Sequence, residues 1–192
     1  MSRPLILASS SVYRQSLLQR LNLPFDAISP DVDETPRADE TPKALAMRLA
    51  HAKAQAVAAQ APPDAVVIGA DQVAEADGQC LGKPLTSDRA VEQLMLLSDK
   101  TVTFHSAMVV IAGEEVCEHH SPTRIKMRAL SRDEAIRYVS IDEPLHCAGA
   151  FKSEALGIAL TESYTSDDPT AIIGLPLIAL AQTLRQLGLR IP

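Results

Sequence analysis

The sequence is poor in aromatic and basic residues. Its 192 residues include no tryptophan, three phenylalanines and three tyrosines, and 18 lysines and arginines face 24 aspartates and glutamates. The formal net charge of −6 disfavours nucleic acid as the main partner, because proteins that bind a duplex backbone carry a positive excess. A small polyanion such as a nucleotide remains compatible with this composition, since binding it requires only a local basic pocket.

Cysteine and long apolar runs are also scarce. The three cysteines are scattered along the chain, at Cys80, Cys117 and Cys147. An odd, dispersed set is typical of reduced thiols rather than of a disulfide framework. The most apolar segment, residues 172–181, is about half as long as a membrane span and is interrupted by a glycine and a proline. The apolar stretch at residues 5–8 is too short for a signal peptide. These features predict a cytoplasmic protein that does not interact with membranes.

Short apolar runs alternate with amphipathic segments, which indicates an α/β fold. Residues 5–8 and 65–70 are typical of buried strands. The serines at 9–11 predict the start of a helix, because serine is a favoured N-cap. Thr41-Pro42 predicts the start of a longer helix with proline at its first position. The 46% of apolar residues are sufficient for one core, so we expect a single domain over residues 1–192.

The middle of the chain contains a hairpin of two long strands, which favours a mixed sheet over an all-parallel one. A shorter hairpin is indicated by the turn signal Asp77-Gly78. The other expected elements are a helix at 87–97, a strand at 101–112, a strand after the turn at 113–114, a helix with a capping box at 131–134, a strand region at 151–160 and a helix at 175–187.

The first candidate site is the serine triplet with Arg14, at a strand-to-helix junction. Ser9, Ser11 and the free N–H groups of the helix start could bind phosphate oxygens together with the guanidinium. The alternative is an ordinary capped helix with a surface arginine, which is the commoner arrangement when this motif is taken alone.

Carboxylates provide the second and third candidates. Asp31, Asp33 and Glu34 fall within four residues and could bind a hard divalent cation, although a solvated acidic loop is the commoner case. Asp71 and Gln72 follow the apolar strand at 65–70. An acid at that position is either a cap for the next turn or a metal ligand and general base.

Other motifs give weaker signals. Lys83 lies in Gly82-Lys83-Pro84, which is no Walker A motif because the glycine spacing is one residue short and Pro84 replaces the required Ser or Thr. The pairs His119-His120 and His146-Cys147 lack a second ligand pair at zinc-binding spacing. A Gly-x-Ser-x-Gly elbow is missing, so serine hydrolysis of the esterase type is not supported.

The order of these segments is more specific than any one of them. The pattern consists of Leu-Ala-Ser-x-Ser-x-x-Arg at 7–14, Asp-Glu-Thr-Pro at 33–36, Ala-x-x-Lys at 50–53, Gly-x-Asp-Gln at 69–72, Gly-Lys-Pro-Leu at 82–85, Cys-Ala-Gly at 147–149, Asp-Pro at 168–169 and Ile-Gly-Leu-Pro at 173–176. In this order the chain resembles the Maf family of nucleoside triphosphate pyrophosphatases over nearly its whole length. The resemblance implies an elongated mixed β-sheet flanked by helices, with a deep nucleotide-binding cleft of the Maf or inosine triphosphatase type. It also implies metal-assisted hydrolysis of a nucleotide between its α- and β-phosphates, and a homodimer.

Three positions distinguish branches of that family. The branch that handles dTTP and UTP typically has Arg, Thr and Gln where this sequence has Tyr13, Gln72 and Glu154, which look like the branch that handles 7-methyl-GTP. Two residues depart from the usual pattern, because Val12 replaces a proline and Tyr13 replaces a tryptophan. The amide of Gln72 can donate or accept, so we expect it to orient the base.

The resemblance also suggests roles for the charged residues. Asp71 is expected to be the proton acceptor and, with Glu34, to bind Mg²⁺ or Mn²⁺. The phosphates are expected to be neutralised by Lys53, Lys83 and Arg14 and to accept hydrogen bonds from Ser9 and Ser11. Two alternatives remain open: a pyrophosphatase of the dTTP/UTP type, and a non-catalytic nucleotide-binding module.

Overall fold

The computed structural model describes residues 3–191, which form one mixed sheet with helices packed on both faces. Met1, Ser2 and Pro192, which belong to the predicted single domain, lie outside the described residues. The strands are β1 (Leu5–Ala8), β2 (Asp26–Ala27), β3 (Val66–Ala76), β4 (Gln79–Leu81), β5 (Thr101–Ala112), β6 (Glu115–Met127) and β7 (Thr161–Thr165). The α-helices are α1 (Val12–Gln19), α2 (Pro42–Ala58), α3 (Ser87–Leu97), α4 (Arg132–Asp142) and α5 (Leu177–Gln186). Short 3-10 helices lie at Ala148–Ala150, Leu156–Leu160 and Ala171–Ile173.

The sheet confirms the predicted mixed topology. Its strand order is β2-β1-β3-β5-β6-β7, with β4 paired to β3. Strand β1 runs parallel to both β2 and β3, whereas the other pairs are antiparallel. The predicted hairpin of two long strands is the β5–β6 pair. Within residues 3–191, every helix is too short or too polar to cross a lipid bilayer.

An interruption along one edge of β3 makes room for a site. On that edge β1 pairs with residues 66–69 of β3, and β4 pairs with residues 74–76. Residues 70–73 therefore have no strand partner there among the described residues. The expectation that the strand ends before Asp71 was wrong, because β5 pairs with β3 from Val66 to Glu75 on the other edge and keeps it extended. Asp71 and Gln72 thus lie at an opening in the sheet.

Helix α2 lies directly on β3 because of one glycine. An added Cβ at Gly69 would overlap the carbonyl oxygen of Ala50 and crowd the backbone of Ala54. Only a residue without a side chain permits this close approach. Lys53 lies between those two alanines on α2, and Asp71 lies on the same face of β3 as Gly69, two residues further on. The packing at Gly69 therefore sets the distance between Lys53 and Asp71.

The last third of the chain differs from the sequence expectation. The predicted strand at 151–160 is wrong, since it contains the 3-10 helix Leu156–Leu160, and the strand follows as β7 against the end of β6. The reason includes a contact across 14 residues of sequence: the backbone N–H of Lys152 donates to the hydroxyl of Tyr138 at 3.0 Å, and Gly157 packs on the carbonyl of Lys152. Residues 152–157 therefore form a compact turn, which cannot continue the hydrogen-bond pattern of a β-sheet.

Candidate active site

A cleft of about 710 Å³ opens at the interruption in the sheet. Small-molecule sites commonly enclose about 300–1,000 Å³, so the cleft can hold one nucleotide-sized ligand. All ten residues predicted for the site line it, namely Ser9, Ser11, Tyr13, Arg14, Glu34, Lys53, Asp71, Gln72, Lys83 and Glu154. Their shared location is thus established, while their individual roles stay predictions.

The junction between β1 and α1 forms one wall of the cleft. The Ser11 hydroxyl accepts from the backbone N–H of Arg14 at 3.4 Å and caps α1, as predicted. The buried Ser9 hydroxyl accepts from the N–H of Ser11 at 3.1 Å and from Arg14 Nη1 at 3.4 Å. The arginine is therefore not an ordinary surface side chain, because it is held against the serine motif. This arrangement can present hydroxyls and a guanidinium to an anion.

A cation bridges two carboxylates at the centre of the site. Lys53 Nζ lies 2.5 Å from Asp71 Oδ1 and 2.6 Å from Glu34 Oε1. The side chains of Lys53 and Asp71 are only 8% and 9% exposed, whereas that of Glu34 is 53% exposed. Two carboxylate oxygens thus converge on one cationic position.

The predicted acidic cluster at 31–34 does not assemble. Only Glu34 lines the cleft, while Asp33 accepts from the N–H of Thr35 at 2.9 Å in an exposed turn. Among residues 3–191, no group of three His, Cys, Asp or Glu side chains could hold a metal ion. Within that part of the chain, the convergent carboxylates of this site are those of Glu34 and Asp71.

Neighbouring charges act on the pKa values of Glu34 and Arg14 in this part of the cleft. Burial by itself would raise the pKa of Glu34, but the hydrogen bond and charge of Lys53, with the charges of Lys83 and Arg14, hold it below its usual value. Burial lowers the pKa of Arg14, and the charges of Asp71 and Glu34 oppose that effect. A guanidinium stays protonated in proteins, so anionic and cationic groups coexist here.

Lys83 lies in the loop after β4. The loop is anchored because the carbonyl of Gly82 accepts from Gln93 Nε2 at 3.2 Å and from the N–H of Gly149 at 3.3 Å. Lys83 itself is exposed and lines the cleft. Its ammonium can therefore meet a bound anion without first breaking an ion pair with a described residue.

The other end of the cleft combines an aromatic ring, a thiol and a carboxylate. Tyr13 is half-buried on α1, and its hydroxyl is hydrogen-bonded to Cys147. Burial, with the contributions of Cys147 and of the charge on Glu154, raises the pKa of Tyr13 to about 12. The phenol is therefore neutral near pH 7. Glu154 is exposed at the cleft rim, where it offers an anionic acceptor.

Gln72 has less freedom than the sequence suggested. Its Nε2 donates to the Ser106 hydroxyl at 2.9 Å and to the carbonyls of Ala171 and Ile172 at 3.0 and 2.7 Å. The amide therefore has a fixed orientation. Sequence reasoning assigned no role to Ser106 or to the segment after Asp168. The signals in that segment were the motifs Asp-Pro at 168–169 and Ile-Gly-Leu-Pro at 173–176, and neither indicates that the carbonyls of Ala171 and Ile172 bind Gln72, about a hundred residues away.

The structure thus defines a mixed-sheet α/β protein with a nucleotide-sized cleft, in which lysines, an arginine and two carboxylates meet at one end. A family model described as Maf-like protein matches residues 4–187, and the chain belongs to this family. The predicted family is thereby confirmed.

Similar proteins cover the chain almost completely. The 7-methyl-GTP pyrophosphatase of Aromatoleum aromaticum is 53% identical over 191 residues, which cover 98% of this chain and 97% of that protein. The protein of the same name from Xanthomonas axonopodis pv. citri is 53% identical over 188 residues, with 98% of each chain covered. One from Bordetella avium is 54% identical over 185 residues, covering 96% of this chain and 93% of that protein.

Among solved structures, the Staphylococcus aureus Ham1 protein is similar with a TM-score of 0.57 at 13% identity. The match covers 96% of this chain and 99% of that one. At such low identity the similarity concerns the fold alone, and it supports the predicted mixed-sheet architecture.

Proposed function

We propose that this protein is a nucleoside triphosphate pyrophosphatase that hydrolyses 7-methyl-GTP to 7-methyl-GMP and diphosphate. The observation that carries the proposal is a single cleft with two chemically distinct ends. One end joins cations to two carboxylates, and the other offers an aromatic ring and anionic or amide acceptors. The names of relatives with more than half of their residues identical agree with this reading.

The cationic end suits a triphosphate. Phosphoryl transfer needs charge neutralisation and a positioned nucleophile more than it needs covalent help from the protein. Arg14, Lys53 and Lys83 would neutralise the phosphate oxygens, while the hydroxyls of Ser9 and Ser11 would donate hydrogen bonds to them. The resulting site holds the triphosphate against the opening beside β3.

Asp71 is the proposed proton acceptor. Lys53 holds its Oδ1, and no hydrogen bond within residues 3–191 occupies its Oδ2. Water would add to a phosphorus of the α–β bridge and pass its proton to Asp71. The bond from that phosphorus to the bridging oxygen then breaks, which releases diphosphate and the nucleoside monophosphate.

The same carboxylates fit a divalent cation. Glu34 Oε1 and Asp71 Oδ1 already converge on one positive charge, and Mg²⁺ sites commonly use one or two carboxylates together with substrate phosphates. Mg²⁺ or Mn²⁺ bound by Glu34 and Asp71 would supply additional neutralisation of the phosphate charge.

The second end suits 7-methylguanine. Methylation at N7 makes the base cationic, and a cation over an aromatic face such as that of Tyr13 is stabilised by about 0.5–2 kcal/mol. Glu154 can accept from the N1–H and N2–H donors of guanine in charge-assisted hydrogen bonds. Uracil and thymine carry neither the positive charge nor the amino group.

Product analysis tests the reaction. With 7-methyl-GTP and Mg²⁺, anion-exchange chromatography should show equal amounts of 7-methyl-GMP and diphosphate. Release of orthophosphate and 7-methyl-GDP would contradict cleavage between the α- and β-phosphates. Tight binding without any product would instead support the non-catalytic module.

The proposal includes two further predictions, a cytoplasmic location and a homodimer. The three cysteines are free, which agrees with a reducing compartment. Light scattering on the purified protein would determine the number of subunits, and a monomer would contradict the second prediction.

A further inference from the structure

Residues 168–178, here called the bracing loop, comprise the 3-10 helix Ala171–Ile173, the turns around it and the first two residues of α5. The two ends of this segment are tied together by a buried carboxylate. Asp168 is 3% exposed. Its Oδ1 accepts from the N–H and the hydroxyl of Thr170 at 2.8 and 2.6 Å, and its Oδ2 accepts from the N–H of Ile178 at 2.8 Å. The Thr170 hydroxyl in turn accepts from the N–H of Leu177 at 2.9 Å. Four hydrogen bonds thus close the loop.

The bracing loop holds two residues of the cleft through its backbone carbonyls. Arg14 Nε donates to the carbonyl of Gly174 at 2.9 Å, and Gln72 Nε2 donates to the carbonyls of Ala171 and Ile172. The fully buried hydroxyl of Ser106 donates to the Ala171 carbonyl at 2.5 Å and accepts from Gln72 Nε2. One loop therefore contacts both ends of the cleft. Arg14 belongs to the end proposed to bind the phosphates, here called the phosphate end, and Gln72 to the end proposed to bind the base, here called the base end.

This arrangement determines what Gln72 can offer a ligand. Backbone carbonyls can only accept, so the NH₂ group must face the loop. The remaining polar atom of the side chain is Oε1, an acceptor. At Arg14 the same loop engages Nε and leaves the terminal nitrogens for Ser9 and for a bound anion.

The conformation of the loop beside Arg14 requires glycine. Gly174 has φ of 124°, which side chains rarely tolerate, and an added Cβ would lie 3.4 Å from Arg14 Nε. No basic side chain within residues 3–191 forms an ion pair with Asp168. Its carboxylate is satisfied by N–H and O–H donors of the loop alone.

We infer that Asp168, Thr170 and Ser106 are positioning residues, which act on the substrate through Gln72 and Arg14. None of the three lines the cleft. By fixing the bracing loop they turn the acceptor of Gln72 towards the base and hold the Arg14 guanidinium towards the phosphates. Base selection and phosphate binding are thereby coupled. The identity of these ligand groups rests on the proposed function, whereas the fixed geometry of Gln72 does not.

A pair of substitutions at Thr170 separates positioning from stability. Thr170→Val keeps the shape and removes the hydroxyl, and Thr170→Ser restores it. We expect Thr170→Val to raise KM roughly 5- to 10-fold for the nucleotide that the wild type prefers and to reduce the preference over the next nucleotide, as loss of a part-buried hydrogen bond to a carboxylate implies. Thr170→Ser should recover both values. The matched control is Ser131→Ala, which removes the capping hydroxyl of α4 away from the cleft and should lower Tm with unchanged KM.

A second readout requires no nucleotide. In ¹⁵N-labelled protein, the side-chain amide protons of Gln72 should exchange with water more slowly than those of exposed Gln55, and Thr170→Val should remove the difference. The Gln72 signal is identified by its loss in Gln72→Ala. Wild-type exchange as fast as at Gln55, or wild-type KM and preference in folded Thr170→Val, would overturn the inference. A wild type that hydrolyses no nucleotide would instead overturn the proposed function, and the exchange measurement would still decide whether the loop fixes Gln72.

Discussion

The two ends of the cleft are built from different kinds of structure. At the phosphate end, Lys53 comes from the middle of α2 and Asp71 from the middle of β3, and both side chains are buried. At the base end, Glu154 lies exposed on an irregular segment between two 3-10 helices, and Tyr13 is half-buried on the first turn of a short helix. Lys53 and Asp71, which are expected to perform chemistry, thus lie in regular elements. Glu154, which is expected to read the base, lies on an irregular segment, and within residues 3–191 Gln72 is the base-end residue held by several hydrogen bonds.

This contrast suggests how one fold can serve several nucleotides. Sites built on regular elements keep their geometry, while residues on loops can change with little cost to the core. A change at the phosphate end should therefore reduce turnover for every substrate. A change at the base end should mainly alter KM and the choice of nucleotide.

The largest effect is expected from Asp71→Asn. The amide keeps the shape but cannot accept a proton at neutral pH, so kcat should fall by about 10²–10⁴-fold with any nucleotide. Pyrophosphate release measures this loss, with exposed Asp64→Asn as the control. Retention of more than about a tenth of the wild-type rate would exclude Asp71 as the base and make Glu34 the candidate.

Lys53→Met should have two opposite consequences. Turnover should fall by about 10²–10³-fold because a preorganised charge on the phosphates is lost. Binding of Mn²⁺ without nucleotide, followed by electron paramagnetic resonance, should become tighter, because the ammonium no longer competes for Glu34 and Asp71.

Lys83→Met is the matched control for Lys53→Met in the Mn²⁺ measurement. Within residues 3–191, Lys83 forms no ion pair with either carboxylate, and only its charge acts on Glu34. Equal Mn²⁺ affinity in Lys53→Met and wild type would contradict the shared cation position. Full wild-type activity in excess chelator would contradict the need for a divalent cation.

Gly69→Ala tests whether close packing sets the geometry of the phosphate end. The added methyl group meets the backbone of α2, so the helix must shift and carry Lys53 away from Asp71. Overpacking of this kind costs about 1–3 kcal/mol of stability. Misplacement by about 1 Å can lower kcat about 10²-fold. Thermal unfolding and kinetics check both effects, and unchanged values in the two assays would show that α2 does not depend on this contact.

Glu154→Gln should have the smallest effect and a different signature. One carboxylate oxygen becomes an amide donor facing the N–H donors of guanine, so KM for 7-methyl-GTP should rise about tenfold with little change in kcat. Glu162→Gln serves as the control, because Glu162 is exposed on β7. A fall in kcat with constant KM would place Glu154 at the phosphate end and break the contrast between the two ends.

The sequence predicted the regular part of the molecule well. Strand β5 and helix α3 have the expected bounds, and the capping box at Ser131 and Glu134 is confirmed. Periodicity, turn signals and caps are local, so they can be read from neighbouring residues.

The irregular part depends on contacts that are distant in sequence. The segment at 151–160 was wrongly expected to be a strand because its fold depends on the Tyr138 hydroxyl, 14 residues before Lys152. The fixed amide of Gln72 depends on carbonyls about a hundred residues away. The ten residues named from the family resemblance all line the cleft, but the resemblance did not indicate what holds them in place.

The most direct test of the central claim is the selectivity of the wild type. Pyrophosphate release should be measured for 7-methyl-GTP, GTP, dTTP and UTP under one set of conditions, and kcat/KM compared. The account predicts that kcat/KM for 7-methyl-GTP exceeds that for dTTP and that for UTP by at least about tenfold, since a cation over Tyr13 and paired hydrogen bonds to Glu154 together contribute more than about 1.4 kcal/mol. GTP presents the same N–H donors to Glu154, so its kcat/KM should be lower by about 2- to 30-fold, as the cation contribution of about 0.5–2 kcal/mol implies. Equal hydrolysis of dTTP and 7-methyl-GTP would contradict the assignment of the base end.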